Sequence, residues 1–229
     1  MFEILKGLDY TPFLVSLKLA SLTTFALVIV CVPLAFFMAR KNFRGKSVIE
    51  SIISLPLVLP PSVLGFYLLV FLSPYSVLGG FFDKHFGLRL VFNFSGLVIA
   101  SCIYSLPFMF SPLVSGFRSL PRSLFWACDS LGKSYFSKLF RVALPAIRHS
   151  LLSALVICFA HTMGEFGVVL MIGGSVSEQT KVASIAIYEA TEMLDFAQAH
   201  AYSALMILFS FAVLLIMHFL GAKGAKIQA

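Results

Sequence analysis

Residues 12–39 run for 28 positions with a single charge, Lys18, and four basic residues follow at once: Arg40, Lys41, Arg44 and Lys46. A helix needs about 20 mostly apolar residues to cross a bilayer core, so this run is long enough to span. Four more apolar runs follow, at residues 48–72, 94–117, 150–172 and 199–221. Continuous stretches such as Leu27-Val28-Ile29-Val30 lack the alternation of a transmembrane strand, which leaves helices. The expected fold class is an all-α integral membrane protein of about five transmembrane helices, one domain over residues 1–229. Composition agrees: 59% of the 229 residues are hydrophobic and 12% charged, against about 25% charged in an ordinary soluble domain. A soluble enzyme of this length is excluded, because so few charges cannot cover a water-facing surface.

The basic residues sort by side. Twelve of the 17 fall after the first run, between the third and fourth, or after the fifth. Lys6, Lys84, Arg89 and Lys181 fall on the other side, with Glu3, Asp9, Asp83, Glu178, Glu189, Glu192 and Asp195, while Lys18 lies near the start of the first run. Basic loops face the cytoplasm, so the amino terminus is expected outside and the carboxyl terminus inside. The same rule accounts for the net charge of +7 without nucleic acid. The first run is too long, and its start too acidic, for a cleaved signal peptide. Cys31, Cys102 and Cys158 lie within apolar runs as small hydrophobes, and Cys128 lies in a segment expected on the reducing side, so no disulfide framework is expected.

The longest connection on the basic side, residues 118–149, is far longer than a tether requires. Leu124, Ala127, Cys128 and Leu131 form a helical stripe. Gly132 interrupts it as a helix stop or tight turn. Apolar content resumes at Tyr135 and runs to Pro145, so the segment reads as helix–turn–helix. Composition alone leaves a second reading open, a basic amphipathic stretch lying on anionic lipid.

The spacing resembles something more specific. Trp126-Ala127-Cys128, then Gly132, Val142 and Leu144-Pro145 resemble the EAA loop of ABC importer permeases: Glu-Ala-Ala, three residues, Gly, nine residues, Ile, one residue, Leu-Pro. Trp126 stands at the Glu position and Cys128 at the second Ala. Leu55-Pro56-Leu57-Val58-Leu59-Pro60-Pro61-Ser62-Val63-Leu64-Gly65 resembles a stretch of molybdate-type permeases, as do His161-Thr162-Met163-Gly164-Glu165-Phe166-Gly167 and Met171-Ile172-Gly173-Gly174. Thr180 to Tyr188 continues the pattern; coverage is weakest at residues 73–93 and the termini.

The resemblance implies a type I ABC importer permease in a bacterial or archaeal cytoplasmic membrane, a multi-pass pore subunit without an ATPase of its own. Its implied partners are two copies of an ATP-binding subunit, a second copy of this chain, an extracytoplasmic oxyanion-binding protein and membrane lipid, with no cofactor. The implied coupling residues are Trp126, Ala127, Cys128, Gly132, Val142, Leu144 and Pro145.

Other residues stand out on physical grounds. Pro56, Pro60 and Pro61 crowd one run; each removes a backbone donor, and such breaks face protein or a water-filled cavity. They mark a bent pathway helix or a kink that only serves packing. Glu165 is the one carboxylate well inside a run, flanked by Gly164, Phe166 and Gly167. A charge at mid-membrane is expensive and faces the interior. Glu165 is therefore a gate or pathway-wall candidate, or a structural hydrogen-bonded group. His161 lies four residues before it, but two ligands do not make a metal site. Residues 178–200 are too polar to span and read as a short external helix or a solvated loop. Gly45-Lys46-Ser47 and Gly132-Lys133-Ser134 lack the Gly five residues earlier that a P-loop needs; Arg40 and Ala127 stand there.

The leading expectation is thus the membrane subunit of an ATP-driven importer of molybdate or a similar tetrahedral oxyanion. Sulfate and tungstate are the alternatives within the class. A secondary transporter or channel is the alternative from another class, but the inverted-repeat type sits poorly with five spans, and a membrane enzyme would cluster more polar groups at one depth.

Overall fold

The computed structural model describes residues 8–225, with side chains through residue 215. Glu3, Lys6 and Lys226 of the charge count lie outside the described residues. Among the described residues eleven longer helical segments follow in chain order: α1 (Thr11–Arg40), α2 (Lys46–Ser54, continued by a 3-10 turn at Leu55–Leu57), α3 (Pro61–Leu72), α4 (Val77–Phe86), α5 (Phe94–Ser119), α6 (Arg122–Ser130), α7 (Tyr135–Ala146), α8 (Arg148–Met163), α9 (Gly167–Gly173), α10 (Ala183–Glu192) and α11 (Phe196–Ala225). Segment α7 is wound as a π-helix over Lys138–Ala143. No strand occurs among the described residues.

Helices α1, α5 and α11 are each long and apolar enough to cross a membrane alone. The count reaches five only when two bent pairs are each taken as one span. One pair is Lys46–Leu57 with α3, folded at 108°. The other is α7 with α8, at 81°. The second apolar run is therefore not the continuous span expected, and the fourth, which begins beyond the 81° bend, is broken farther along. In the second run Pro60 and Pro61 bring no backbone donors into the bend, and Pro61 opens α3 at the position where proline costs a helix nothing. In the fourth run α8 stops at Met163, residues 164–166 leave the helix, and α9 begins at Gly167.

The core is built on α1, α5 and α8. At the end that carries α6 and α7, the buried cluster holds Phe36 and Met38 of α1, Met109, Leu113 and Phe117 of α5, and Ala154 and Cys158 of α8. Phe36 is its hub, with ring centroids 5.2 Å from Phe117, 5.9 Å from Phe125 and 5.1 Å from Tyr135. At the opposite end Val15 and Leu19 of α1 meet Leu97 of α5, Val169 of α9 and Ile185 of α10. Ser16 there accepts a 2.8 Å hydrogen bond from the Ala183 amide, fixing the start of α10 against α1. Outward, Leu14, Phe25 and Ile29 of α1 and Ile207, Leu208 and Phe211 of α11 are exposed, as lipid-facing positions require.

Helices gain little from apolar burial when the alternative is lipid, so association depends on close packing, and small residues allow it. Gly65 and Gly167 join α3 to α9. A Cβ on Gly65 would lie 2.8 Å from Met171 Cβ, and one on Gly167 would lie 2.8 Å from Pro61 Cβ. We expect Gly65→Ala and Gly167→Ala each to destabilise the folded chain by about 1–3 kcal/mol through overpacking. Gly164→Ala, whose Cβ would meet nothing closer than 3.7 Å, should be near neutral. Thermal unfolding midpoints of the purified variants in one detergent test the ranking; equal midpoints for all three would refute it.

Candidate functional site

Two regions carry the residues singled out above. The first is where the two interrupted runs meet. Pro61 opens α3, Gly167 opens α9, and the two are in contact. This joins the candidates of the second run to those of the fourth: Pro60 and Pro61 are exposed beside the break, Phe166 and Gly167 are partly buried, and Gly164 is exposed. Pro56 is turned away and buried within the turn that precedes the bend. Gly164 and Gly167 do not share a role, since only Gly167 has a close neighbour.

Backbone groups in the break find partners within the protein. The Glu165 amide donates to the Thr162 carbonyl at 3.4 Å, and the Glu165 carbonyl accepts from Ser184 Oγ of α10 at 2.6 Å. Phe166 packs on Tyr188 of α10 with ring centroids 5.1 Å apart. The Glu165 side chain points into the bundle and is 4% exposed. Ser101 of α5 lies beside its carboxyl, yet neither carboxyl oxygen makes a hydrogen bond of normal geometry. Four residues earlier, His161 does not turn toward a metal site. Its ring stacks on Phe108 at 3.9 Å, and its Nδ1 lies 3.0 Å from Ser105 Oγ. Among the described residues no cluster of three His, Cys, Asp or Glu could hold a metal ion.

The second region is the loop of α6 and α7. Gly132 takes a left-handed φ of 63°. Its amide donates to the Asp129 carbonyl at 2.9 Å, and the Lys133 amide to the Cys128 carbonyl at 3.0 Å. This double closure satisfies the last carbonyls of α6 and favours glycine at the turn. Ser134 Oγ then accepts from the Ser137 amide at 3.4 Å and caps α7. Helix–turn–helix is the structure observed, but the buried face differs from the expected stripe. Phe125 and Cys128 face the bundle, whereas Ala127 and Leu131 are exposed. The reason is the aromatic hub, which draws Phe125 toward Phe36, with the Arg40 guanidinium over the Phe125 ring at 3.7 Å.

The loop is tied down at several points: Tyr135 Oη donates to the Pro33 carbonyl at 3.4 Å, Arg118 pairs with Glu50 at 2.5 Å, and Lys138 pairs with Asp129. Its outer side is left apolar. Trp126 is 65% exposed, and Phe136, 67% exposed, lines a recess of about 560 Å³ with Lys133, Ser134, Phe140 and Arg141. Val142 and Leu144 are partly buried and Pro145 is exposed where the chain turns into α8.

One element is not anticipated from the sequence. Residues 73–93 contain α4, capped by Ser76 Oγ on the Gly79 amide at 2.9 Å and closed by Gly87 at a φ of 62°. The Ser76…Gly87 punctuation around Val77–Phe86 is the signal that announces it. The segment at residues 178–200, expected to hold a short helix or a loop, does contain a helix, α10, with Lys181 paired to Glu189 at 2.5 Å.

Comparison with known proteins places this architecture. The family described as binding-protein-dependent transport system inner membrane component matches residues 31–223. The chain is 42% identical to the molybdenum transport system permease protein ModB of Azotobacter vinelandii over 211 residues, covering 92% of this chain and 93% of that one. It is 29% identical to the sulfate transport system permease protein CysT of Synechocystis sp. over 192 residues, covering 84% of this chain and 67% of that one. Among solved structures it resembles the MetNI methionine ABC transporter, with a TM-score of 0.73 at 13% identity over 97% of this chain and 99% of that one. A bacterial ABC transporter involved in alginate import gives a TM-score of 0.68 at 18% identity, covering 95% and 80%. At those identities the likeness is one of fold, that of type I ABC importer permeases. The chain belongs to the family of binding-protein-dependent transport system inner membrane components.

Proposed function

We propose that this chain is the membrane subunit of an ATP-driven molybdate importer. The observation that carries the substrate is the 42% identity to a molybdenum permease over 92% of the chain, against 29% to a sulfate permease. Two copies of the chain line one route across the bilayer, and a separate binding protein delivers the anion at the end bearing α4 and α10. Residues 118–149 form the coupling segment within a single permease domain. Trp126, Ala127, Cys128, Gly132, Val142, Leu144 and Pro145 form or position the surface against which an ATP-binding subunit docks. The exposed Trp126 and Phe136 support that reading, because apolar side chains at a polar end of a membrane protein are costly without a partner. Pro56, Pro60, Pro61 and residues Gly164, Glu165, Phe166 and Gly167 shape the gate. Alternating access then needs only a small movement of α9 against α3, since a packed contact of this kind has discrete arrangements.

Three experiments test the parts. Proteoliposomes holding this chain, its ATPase and its binding protein should take up molybdate on ATP addition; uptake of sulfate with molybdate refused would overturn the substrate. A reporter fused after Ala229 should be active only on the cytoplasmic side, as the twelve basic residues require; activity on the outer side would reverse the orientation. At Gly132 no neighbouring atom lies within 4 Å of where a Cβ would stand, so only the left-handed backbone constrains the residue. Gly132→Asn, which tolerates that conformation, should keep ATPase co-purification near wild type. Gly132→Val should lose it while the subunit still inserts. Equal co-purification in both variants would show that the turn does not set the docking surface.

A further inference from the structure

Five buried side-chain atoms lack a hydrogen bond of normal geometry among the described residues, and three of them lie together. These are both carboxyl oxygens of Glu165 and Oγ of Ser101, which lies beside that carboxyl. Both residues are more than nine-tenths buried: Glu165 is 4% exposed and Ser101 0%. The seam thus lies between α5 and the break between α8 and α9.

The groups that face the carboxyl bring no positive charge. From α5 they are Ser101, Cys102 and Tyr104, and from α8 Cys158. Ser184 of α10 is committed to the Glu165 backbone carbonyl. His161 of α8 is committed to Phe108 and Ser105. None of the ion pairs among the described residues includes Glu165. A carboxylate in a low-dielectric interior is not retained as a bare charge; it is paired or neutralised. The end of α8 adds to the demand, because the carboxyl end of a helix presents carbonyl dipoles that favour a cation. Broken membrane helices hold small cations in this way.

We propose that the seam is an internal site for one small monovalent cation, a proton or a sodium ion, held on the Glu165 carboxyl with the hydroxyl oxygen of Ser101. The unpartnered atoms are all hard oxygens, and the single carboxylate supplies one negative charge, which suits a monovalent occupant over a divalent or soft metal. The site takes no part in holding the imported oxyanion, which a carboxylate repels. Because Glu165 sits within the break, separation of α9 from α5 hydrates the carboxyl and releases the cation. Occupancy therefore favours the packed arrangement. The burial of the seam and its missing partners are the same whatever anion is imported.

The test is thermal unfolding of the full-length purified chain. Sodium is exchanged for choline at constant ionic strength in one series, and pH is varied without sodium in another. The infrared carboxyl bands are recorded in both. For a sodium site, sodium raises the wild-type midpoint, Glu165→Gln abolishes the response, and Ser101→Ala weakens apparent sodium affinity about tenfold, the loss expected for one contact to a charged group. For a proton site, sodium has no effect, the wild-type pH profile differs from that of Glu165→Gln, and wild type shows a protonated-carboxyl band that the variant lacks. A wild-type midpoint indifferent to sodium, with a pH profile matching Glu165→Gln and no such band, overturns the proposal. If Glu165→Gln does not fold, Ser101→Ala decides with the wild-type spectrum: a variant unchanged in sodium response and in carboxyl bands overturns it equally.

Discussion

A backbone amide or carbonyl left unpaired in hydrocarbon costs several kcal/mol, so a membrane chain can interrupt a helix only where protein or water supplies the missing partner. This bundle interrupts two of its five apolar runs, and it does so in places that touch. In the bend before α3 the Val58 and Leu59 amides both donate to the Leu55 carbonyl, and Pro60 and Pro61 have no amide to orphan. The break before α9 gives its Glu165 carbonyl to Ser184 of α10. With Gly167 seated on Pro61 and Gly65 on Met171, each interruption becomes part of the wall that shields the other. The long helices α1 and α5 then serve as the frame against which these short pieces are held.

That constraint explains which features are legible in the sequence. Three of the five runs need no tertiary information: a long apolar stretch bounded by charge, such as the one ending at Arg40, has one stable solution in a bilayer. The turn at Gly132 is equally legible, because the left-handed φ follows from local backbone sterics. The 108° fold of the second run is not. Pro56, Pro60 and Pro61 announce that the helix cannot continue straight, but the angle depends on what α3 packs against, and that partner lies about a hundred residues away at Gly167. The buried face of α6 escapes the sequence for a related reason. Leu124, Ala127, Cys128 and Leu131 do form a stripe, yet Phe36 and Arg40 of α1 capture Phe125 instead. The aromatic contact turns the helix so that Phe125 and Cys128 are buried while Ala127 and Leu131 are left exposed. Glu165 is unusual by its apolar neighbours alone, but its lack of a basic partner is a property of the assembled bundle.

The two regions of interest are joined by one element. Helix α8 runs without interruption from Arg148 to Met163, which at 1.5 Å per residue is about 24 Å. At one end it leaves α7 through an 81° bend at a point where Ala143 and Ile147 are buried in the aromatic cluster. At the other it stops two residues before Glu165. A helix of four turns with its ladder intact bends little, so a tilt imposed at the loop displaces the Met163 end as well. The displacement arrives where the structure is least able to absorb it by side-chain adjustment. Gly167 and Gly65 leave almost no slack against Pro61 and Met171, and packed contacts of this kind shift between discrete arrangements more readily than they deform. On the proposed mechanism, a small movement at the loop reaches the contact between α9 and α3 along α8 and across the short break at residues 164–166.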